Sequence, residues 1–214
     1  MGVIAEKDRE KLIKLFESLL QDVKVLVFTQ EVECGFCQTT RQILEEVSAL
    51  SQKISLEIYD FVKDDAVVKK YGISRIPATA LIGDRDYGIR FYGTPAGYEF
   101  TTLIQDIVMI SRRDPGLSKE TLDELSKVDQ PVHIQVMISP TCPYCAAAVG
   151  SVHRLAMAND FIAGDMVELA EFPHLAVKYN VQGVPKIIIN EKESATGAMP
   201  DMDMAREVLR AIGK

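Results

Sequence analysis

The chain has no tryptophan, only three histidines and four cysteines in 214 residues. Four cysteines are too few for a disulfide-built scaffold, and in an ordinary cytosol structural disulfides are kept reduced. No uninterrupted apolar run is long enough for a membrane span. The first twenty residues, MGVIAEKDREKLIKLFESLL, carry a charge every few positions. They read as an amphipathic helix rather than the apolar core of an export signal, so a cytoplasmic protein is expected. Basic charge is also missing: the net charge is -7, which excludes a general binder of nucleic-acid phosphates. No Gly-x-Gly-x-x-Gly follows a strand, so the chain does not hold its own dinucleotide by that route. What is present, 47% hydrophobic and 26% charged residues, describes a globular chain long enough for one large or two small domains.

All four cysteines fall in two C-x-x-C pairs, in QEVECGFCQTTR (Cys34, Cys37) and ISPTCPYCAAAV (Cys142, Cys145). Placing residues 34–82 over 142–190 at a constant offset of 108 also aligns Tyr71 with Tyr179 and Pro77 with Pro185, within YGISRIPATALI and YNVQGVPKIIIN. The chain therefore repeats itself. In each half an apolar, β-branched strand (23–29, 132–138) precedes the cysteine pair, and a helical pattern follows it, with Ile43, Leu44, Val47 and Leu50 on one face in the first. Second strands follow in SLEIYDF and DMVELAE, then a short helix, the proline, a hairpin and a last helix (94–112, 201–212). Each half has a leading helix, about 4–20 and 118–128. The turn Asp114-Pro115-Gly116 with Ser118 as a helix N-cap marks a boundary near 116. The expected units are 1–116 and 117–214, each α/β, with a parallel β-α-β pair extended by an antiparallel hairpin.

A cysteine pair at a strand-to-helix junction has a specific chemical use. With the first cysteine at the helix N-cap, the unpaired N–H groups and the positive end of the dipole favour its thiolate. The second cysteine, three residues on, can attack a mixed disulfide from behind, so the pair exchanges two electrons. The proline 43 residues downstream of each first cysteine starts a strand to which it cannot donate a hydrogen bond. A cis bond there would leave the backbone of Ile76 or Val184 open to an extended substrate. Two alternatives stand beside this reading: the pairs as ligands of one tetrahedral zinc, or a non-catalytic chaperone or adaptor on the same scaffold.

Strand, C-x-x-C, helix and a later hydrophobic-Pro before a hairpin resemble the thioredoxin and glutaredoxin superfamily; CPYC is similar to the glutaredoxin motif and YGISRIPAT to the thioredoxin cis-proline segment. The duplication resembles the glutaredoxin-like protein disulfide oxidoreductases of thermophilic archaea and bacteria. The resemblance implies two tandem thioredoxin-like folds, each a central mixed four-stranded sheet flanked by helices with an extra N-terminal helix. It implies Cys34 and Cys142 as nucleophiles, Cys37 and Cys145 as resolving cysteines, and Pro77 and Pro185 as cis-prolines. Substrate would lie against Ile76–Pro77 and Val184–Pro185, with Phe36 and Tyr144 as apolar lips. The disulfides Cys34–Cys37 and Cys142–Cys145 would be the redox centres, with no bound cofactor or metal. Partners would be protein disulfides, a flavoprotein like thioredoxin reductase as electron donor, and a peroxiredoxin, in a thermophilic cytoplasm. The sequence departs from the pattern at Arg75, where thioredoxins usually have glycine and the second half has Gly183.

The sites are not equivalent. Pro143 is expected at the first helical position, preorganising the second site, where the first has the freer Gly35. Glu33 puts a negative charge beside Cys34. Cys142 is therefore expected to be the more acidic thiol and to carry most of the protein-disulfide chemistry. His133, His153 and His174 have no histidine at their repeat positions (Val25, Glu45, Ala66) and are expected to be structural.

Overall fold

A computed structural model describes residues 2–214. The first half contains α1 (Glu6–Phe16), β1 (Val23–Thr29), α2 (Cys37–Ser48), β2 (Ile54–Asp60), α3 (Asp65–Lys70), β3 (Ala78–Ile82), β4 (Asp86–Tyr92) and α4 (Tyr98–Arg112). The second repeats the order with α5 (Lys119–Leu125), β5 (Val132–Ile138), α6 (Cys145–Ala158), β6 (Ile162–Glu168), α7 (Pro173–Lys178), β7 (Lys186–Ile189), β8 (Lys192–Thr196) and α8 (Asp201–Ala211). The leading helices are shorter than their patterns suggest, and Ser118 caps α5 by accepting from Thr121 N. The strand expected in DMVELAE begins three residues earlier, at Ile162.

In each half the apolar first strand is central. β1 pairs parallel with β2 and antiparallel with β3, and β3 pairs antiparallel with β4. β5 likewise pairs with β6 and β7, and β7 with β8. The four-stranded mixed sheets do not stay separate. β4 pairs parallel with β6, from Ile89 opposite Gly164 to Tyr92 opposite Val167, giving one eight-stranded sheet in the order β2-β1-β3-β4-β6-β5-β7-β8. This union explains a divergence between the repeats. β2 is an outer edge and half-exposed, whereas β6 lies inside the sheet and is buried along nearly its whole length. Gly164 fits there because a Cβ would come within 2.7 Å of Val152 Cγ1 on α6.

Helices cover both faces. α1, α2, α4, α5, α6 and α8 bury the larger apolar cluster, around Val25, Phe91, Ile107, Ile134 and Val152. α3 and α7 cover the opposite face over Leu26, Phe28, Met137 and Ile188. α4 of the first half packs against α6 of the second. The first half thus supports the helix that carries the second half's chemistry.

Candidate functional site

β1 and β5 run parallel, since each step between them through β3, β4 and β6 fixes the direction. Both cysteine pairs follow the C-terminal ends of these strands and therefore lie along the same end of the sheet. Four strand spacings of about 4.8 Å separate them, roughly 19 Å. Thiolates that far apart cannot share one zinc, whose sulfur ligands sit about 2.3 Å from the metal. Among the described residues no three His, Cys, Asp or Glu side chains are grouped to hold a metal ion.

Cys34–Cys37 and Cys142–Cys145 are closed disulfides, each with Cα atoms 5.5 Å apart. The helix boundary differs from the sequence expectation. α2 and α6 begin at the second cysteine, with Phe36 and Tyr144 as N-caps, so the first cysteine precedes the helix by a turn. The residues between the paired cysteines form a tight turn instead; at the second site Cys145 N donates to Cys142 O at 3.3 Å. Pro143 lies within that turn rather than at the first helical position. The positive helix end still faces the pair. Cys37 and Cys145 are buried, Cys142 is 7% exposed and Cys34 half-buried. Phe36 and Tyr144 project outward, 47% and 69% exposed.

Ile76–Pro77 and Val184–Pro185 are cis. The Pro77 and Pro185 carbonyls accept from Gly93 N (2.9 Å) and Gly197 N (2.8 Å), so the open end of each hairpin is closed on its proline in the same way. Cys142 Sγ lies 3.7 Å from the Val184 carbonyl oxygen. Beside the first proline the Arg75 guanidinium stacks over Tyr92 (4.7 Å) and Phe172 (5.8 Å), spanning the two halves. At the matching Gly183 there is open space.

Asp60 and Glu168, acids that the offset of 108 also aligns, cap turns. Asp60 accepts from Val62 N and Lys63 N, which hold its carboxyl below the usual range, and Glu168 accepts from Ala170 N and Glu171 N. The histidines pair structurally: His133 with Asp165 and His153 with Asp106, each at 2.6 Å, while His174 meets Phe172 edge-on.

Sequence reasoning missed the seam. On α4, Glu99, Thr102 and Asp106 form a buried polar stripe at helical spacing, a signal visible in GYEFTTLIQDIV as acids on the apolar face. The start of α4 abuts the loop before Cys142, because Gly97 (φ +62°) would place a Cβ 2.7 Å from the Pro140 carbonyl oxygen. Nearby, Glu171 accepts from Thr94 N at 2.6 Å, and burial raises its carboxyl pKa. Glu99 accepts from Thr102 Oγ1 at 3.1 Å, while its Oε1 is buried without a partner. Burial pushes its pKa to about 7. The unfolded chain releases that proton near 4.5, so the folded state binds more protons between the two values, and stability falls as pH rises through them. Glu99→Gln is expected to match wild type at pH 4.5 and exceed it at pH 8, by on the order of 3 kcal/mol. Urea unfolding at both pH values checks this; an unchanged pH slope in the variant would refute it.

Two cystine turns on parallel strands, each facing a cis-proline, define a two-unit protein of the thioredoxin-fold superfamily. Known proteins agree with this in detail. Residues 132–210 match the family model described as a thioredoxin domain. The structure of a protein disulfide oxidoreductase from Aeropyrum pernix is similar with a TM-score of 0.90 and 29% identity, covering 97% of this chain and 93% of that one. The alkylhydroperoxide reductase component AhpF from Enterococcus faecalis shares the fold at a TM-score of 0.89 and 24% identity, covering 96% and 99%. A curated relative, an NADH dehydrogenase of Bacillus subtilis, is 26% identical over 86% of this chain and 34% of its own length. The chain thus spans about a third of the length of the curated relatives it matches.

Proposed function

We propose that the chain is a thiol-disulfide oxidoreductase that reduces, forms or rearranges protein disulfides, with Cys142–Cys145 the principal centre. The observation that carries the reading is the pairing of each cystine turn with a cis-proline at the same end of the sheet. In reduction, the Cys142 thiolate attacks a substrate sulfur and displaces the other sulfur as a thiol. The Cys145 thiolate then attacks Cys142 Sγ, releasing the second substrate thiol and closing the disulfide. Substrate backbone lies against Val184, and Tyr144 covers an apolar neighbour. The first centre runs the same chemistry with Cys34, Cys37, Phe36 and Ile76–Pro77.

Electrons come from a thioredoxin-reductase-like flavoprotein and pass to protein disulfides, a peroxiredoxin among them. Relatives named as an NADH dehydrogenase and as part of an alkyl hydroperoxide reductase support a place in such a chain. The cytoplasm is the proposed compartment. Among the described residues, no helix is long and apolar enough to cross a membrane. Insulin-disulfide reduction by dithiothreitol is the test. The wild type is expected to accelerate precipitation of the insulin B chain, and a variant with all four cysteines as serine to leave it at the uncatalysed rate. Equal rates for the two would leave the chaperone or adaptor reading in its place.

A further inference from the structure

The two centres are held together differently. After β4 and after β8 a glycine N–H closes the hairpin on its proline, Gly93 on Pro77 and Gly197 on Pro185. The next residue differs. Thr94 is buried, and its hydroxyl lies 2.8 Å from that of Thr40, fully buried on α2 one turn past Cys37. Ala198 follows Gly197, and at the offset of 108 the place of Thr40 is taken by Ala148. Both hydroxyl side chains of the first half are therefore alanine in the second. The pair also reaches across the seam. Thr94 N donates to Glu171 Oε1 at 2.6 Å, in the loop between β6 and α7 of the second half. The Thr94 hydroxyl bonds the same carboxyl, against the upward pKa shift that burial imposes. A hydroxyl has one proton to give, so with Thr94 donating to Glu171, Thr40 donates to Thr94. The loop comes this close because Gly93 has no side chain: a Cβ there would lie 2.7 Å from Glu168 Cβ and 3.2 Å from Glu171 Oε1. Gly197 faces open space.

We infer that Thr40, Thr94 and Glu171 are positioning residues of the first centre, through which the second half of the chain fixes Pro77 against the start of α2. The inference rests on the oxidoreductase reading and adds residues to its first site. Gly93 and Thr94 are adjacent, so one short stretch carries the bond to the proline on one side and the bonds to α2 and Glu171 on the other. A substrate chain lies against Ile76 while Cys34 attacks its sulfur, and an error of about 1 Å between two such groups costs on the order of a hundredfold in rate. Loss of the carboxylate leaves a buried N–H and a buried hydroxyl unsatisfied, which the loop can repair only by moving. Loss of either hydroxyl detaches the loop from the helix that carries Cys37. At the second centre the hairpin itself sets the proline, and the approach stays open at Gly183 and Gly197.

The test uses two full-length proteins, Cys142→Ser/Cys145→Ser, which keeps the first centre, and Cys34→Ser/Cys37→Ser, which keeps the second. Each is reduced, and two rates are measured: exchange with the disulfide-linked dimer of an acetylated, amidated Ser-Ala-Cys-Ala-Ser peptide, and alkylation by iodoacetamide, which needs the sulfur but not the proline. In the first-centre protein Thr40→Val, Thr94→Val and Glu171→Leu are each expected to slow exchange by about tenfold while Cys34 alkylation is unchanged. Thr40→Ser and Glu171→Gln, which restore the hydroxyl and the acceptor, should recover most of the rate. Thr40→Val combined with Glu171→Leu should be little slower than either alone, because both break one network. The same substitutions in the second-centre protein are expected to leave its exchange rate as it was. Unchanged exchange at the first centre, equal slowing of exchange and alkylation, equal slowing at both centres, or a Glu171→Gln protein as slow as Glu171→Leu would overturn the inference. The oxidoreductase reading fails separately, if neither parent protein exchanges with the peptide faster than free cysteine does and insulin reduction is also absent.

Discussion

Replacing Cys142 with serine is expected to lower insulin-disulfide reduction by about a hundred-fold or more, because a serine hydroxyl is not ionised at neutral pH and cannot form the mixed disulfide. Cys34→Ser should cost no more than a few-fold. The asymmetry follows from what surrounds two otherwise matched sulfurs. The Val184 backbone that would meet an incoming chain faces Cys142 at 3.7 Å. Its approach is open at Gly183, and Tyr144 offers an exposed ring. At the first centre Arg75 occupies the position of Gly183 and is stacked across the seam. Glu33, next to Cys34, is exposed and held at φ +60°, leaving a carboxylate beside the nucleophile that disfavours its thiolate. Insulin turnover by the two single variants and by wild type measures the split. Equal losses would mean that the centres act in series on protein substrates, and a larger loss from Cys34→Ser would reverse the assignment.

The repeat made much of this legible. Cys34, Cys37 and Pro77 recur at one offset as Cys142, Cys145 and Pro185, and the strands before the cysteines read as buried because they are apolar on both faces. The joining of the sheets was not legible, because β4 meets β6 through backbone hydrogen bonds that leave no mark on side-chain pattern. Only the composition of IAGDMVE against ISLEIYD hints at it, with glycine and short residues where a strand edge has become a strand interior. The helix starts were misplaced for a local reason: the residues between the paired cysteines form a turn of their own before the helix, which leaves Pro143 outside it. The polar stripe Glu99, Thr102 and Asp106 was in plain view. Its meaning depended on which helix of the other half would pack against it.

That packing carries the second large effect. Asp106 Oδ2 lies 2.6 Å from His153 Nδ1, both are buried, and Phe91 meets the imidazole edge-on at 5.0 Å. Burial raises the Asp106 carboxyl pKa, and His153 works against that shift. Removing one member strands the other in an apolar interior, so Asp106→Ala or His153→Ala is expected to destabilise the fold by about 3–5 kcal/mol. Replacing both with apolar residues of similar size, Asp106→Leu with His153→Phe, removes the charge and the hydrogen bond together and should cost far less than the sum of the single changes. Urea unfolding of wild type, Asp106→Leu, His153→Phe and the double variant forms the cycle, and strictly additive costs would show that the pair contributes no coupling. Because α4 belongs to the first half and α6 carries Cys145, the singles should also loosen the second centre. Amide hydrogen exchange in the first turn of α6 should then quicken in Asp106→Ala, although the substitution lies on the other half of the chain.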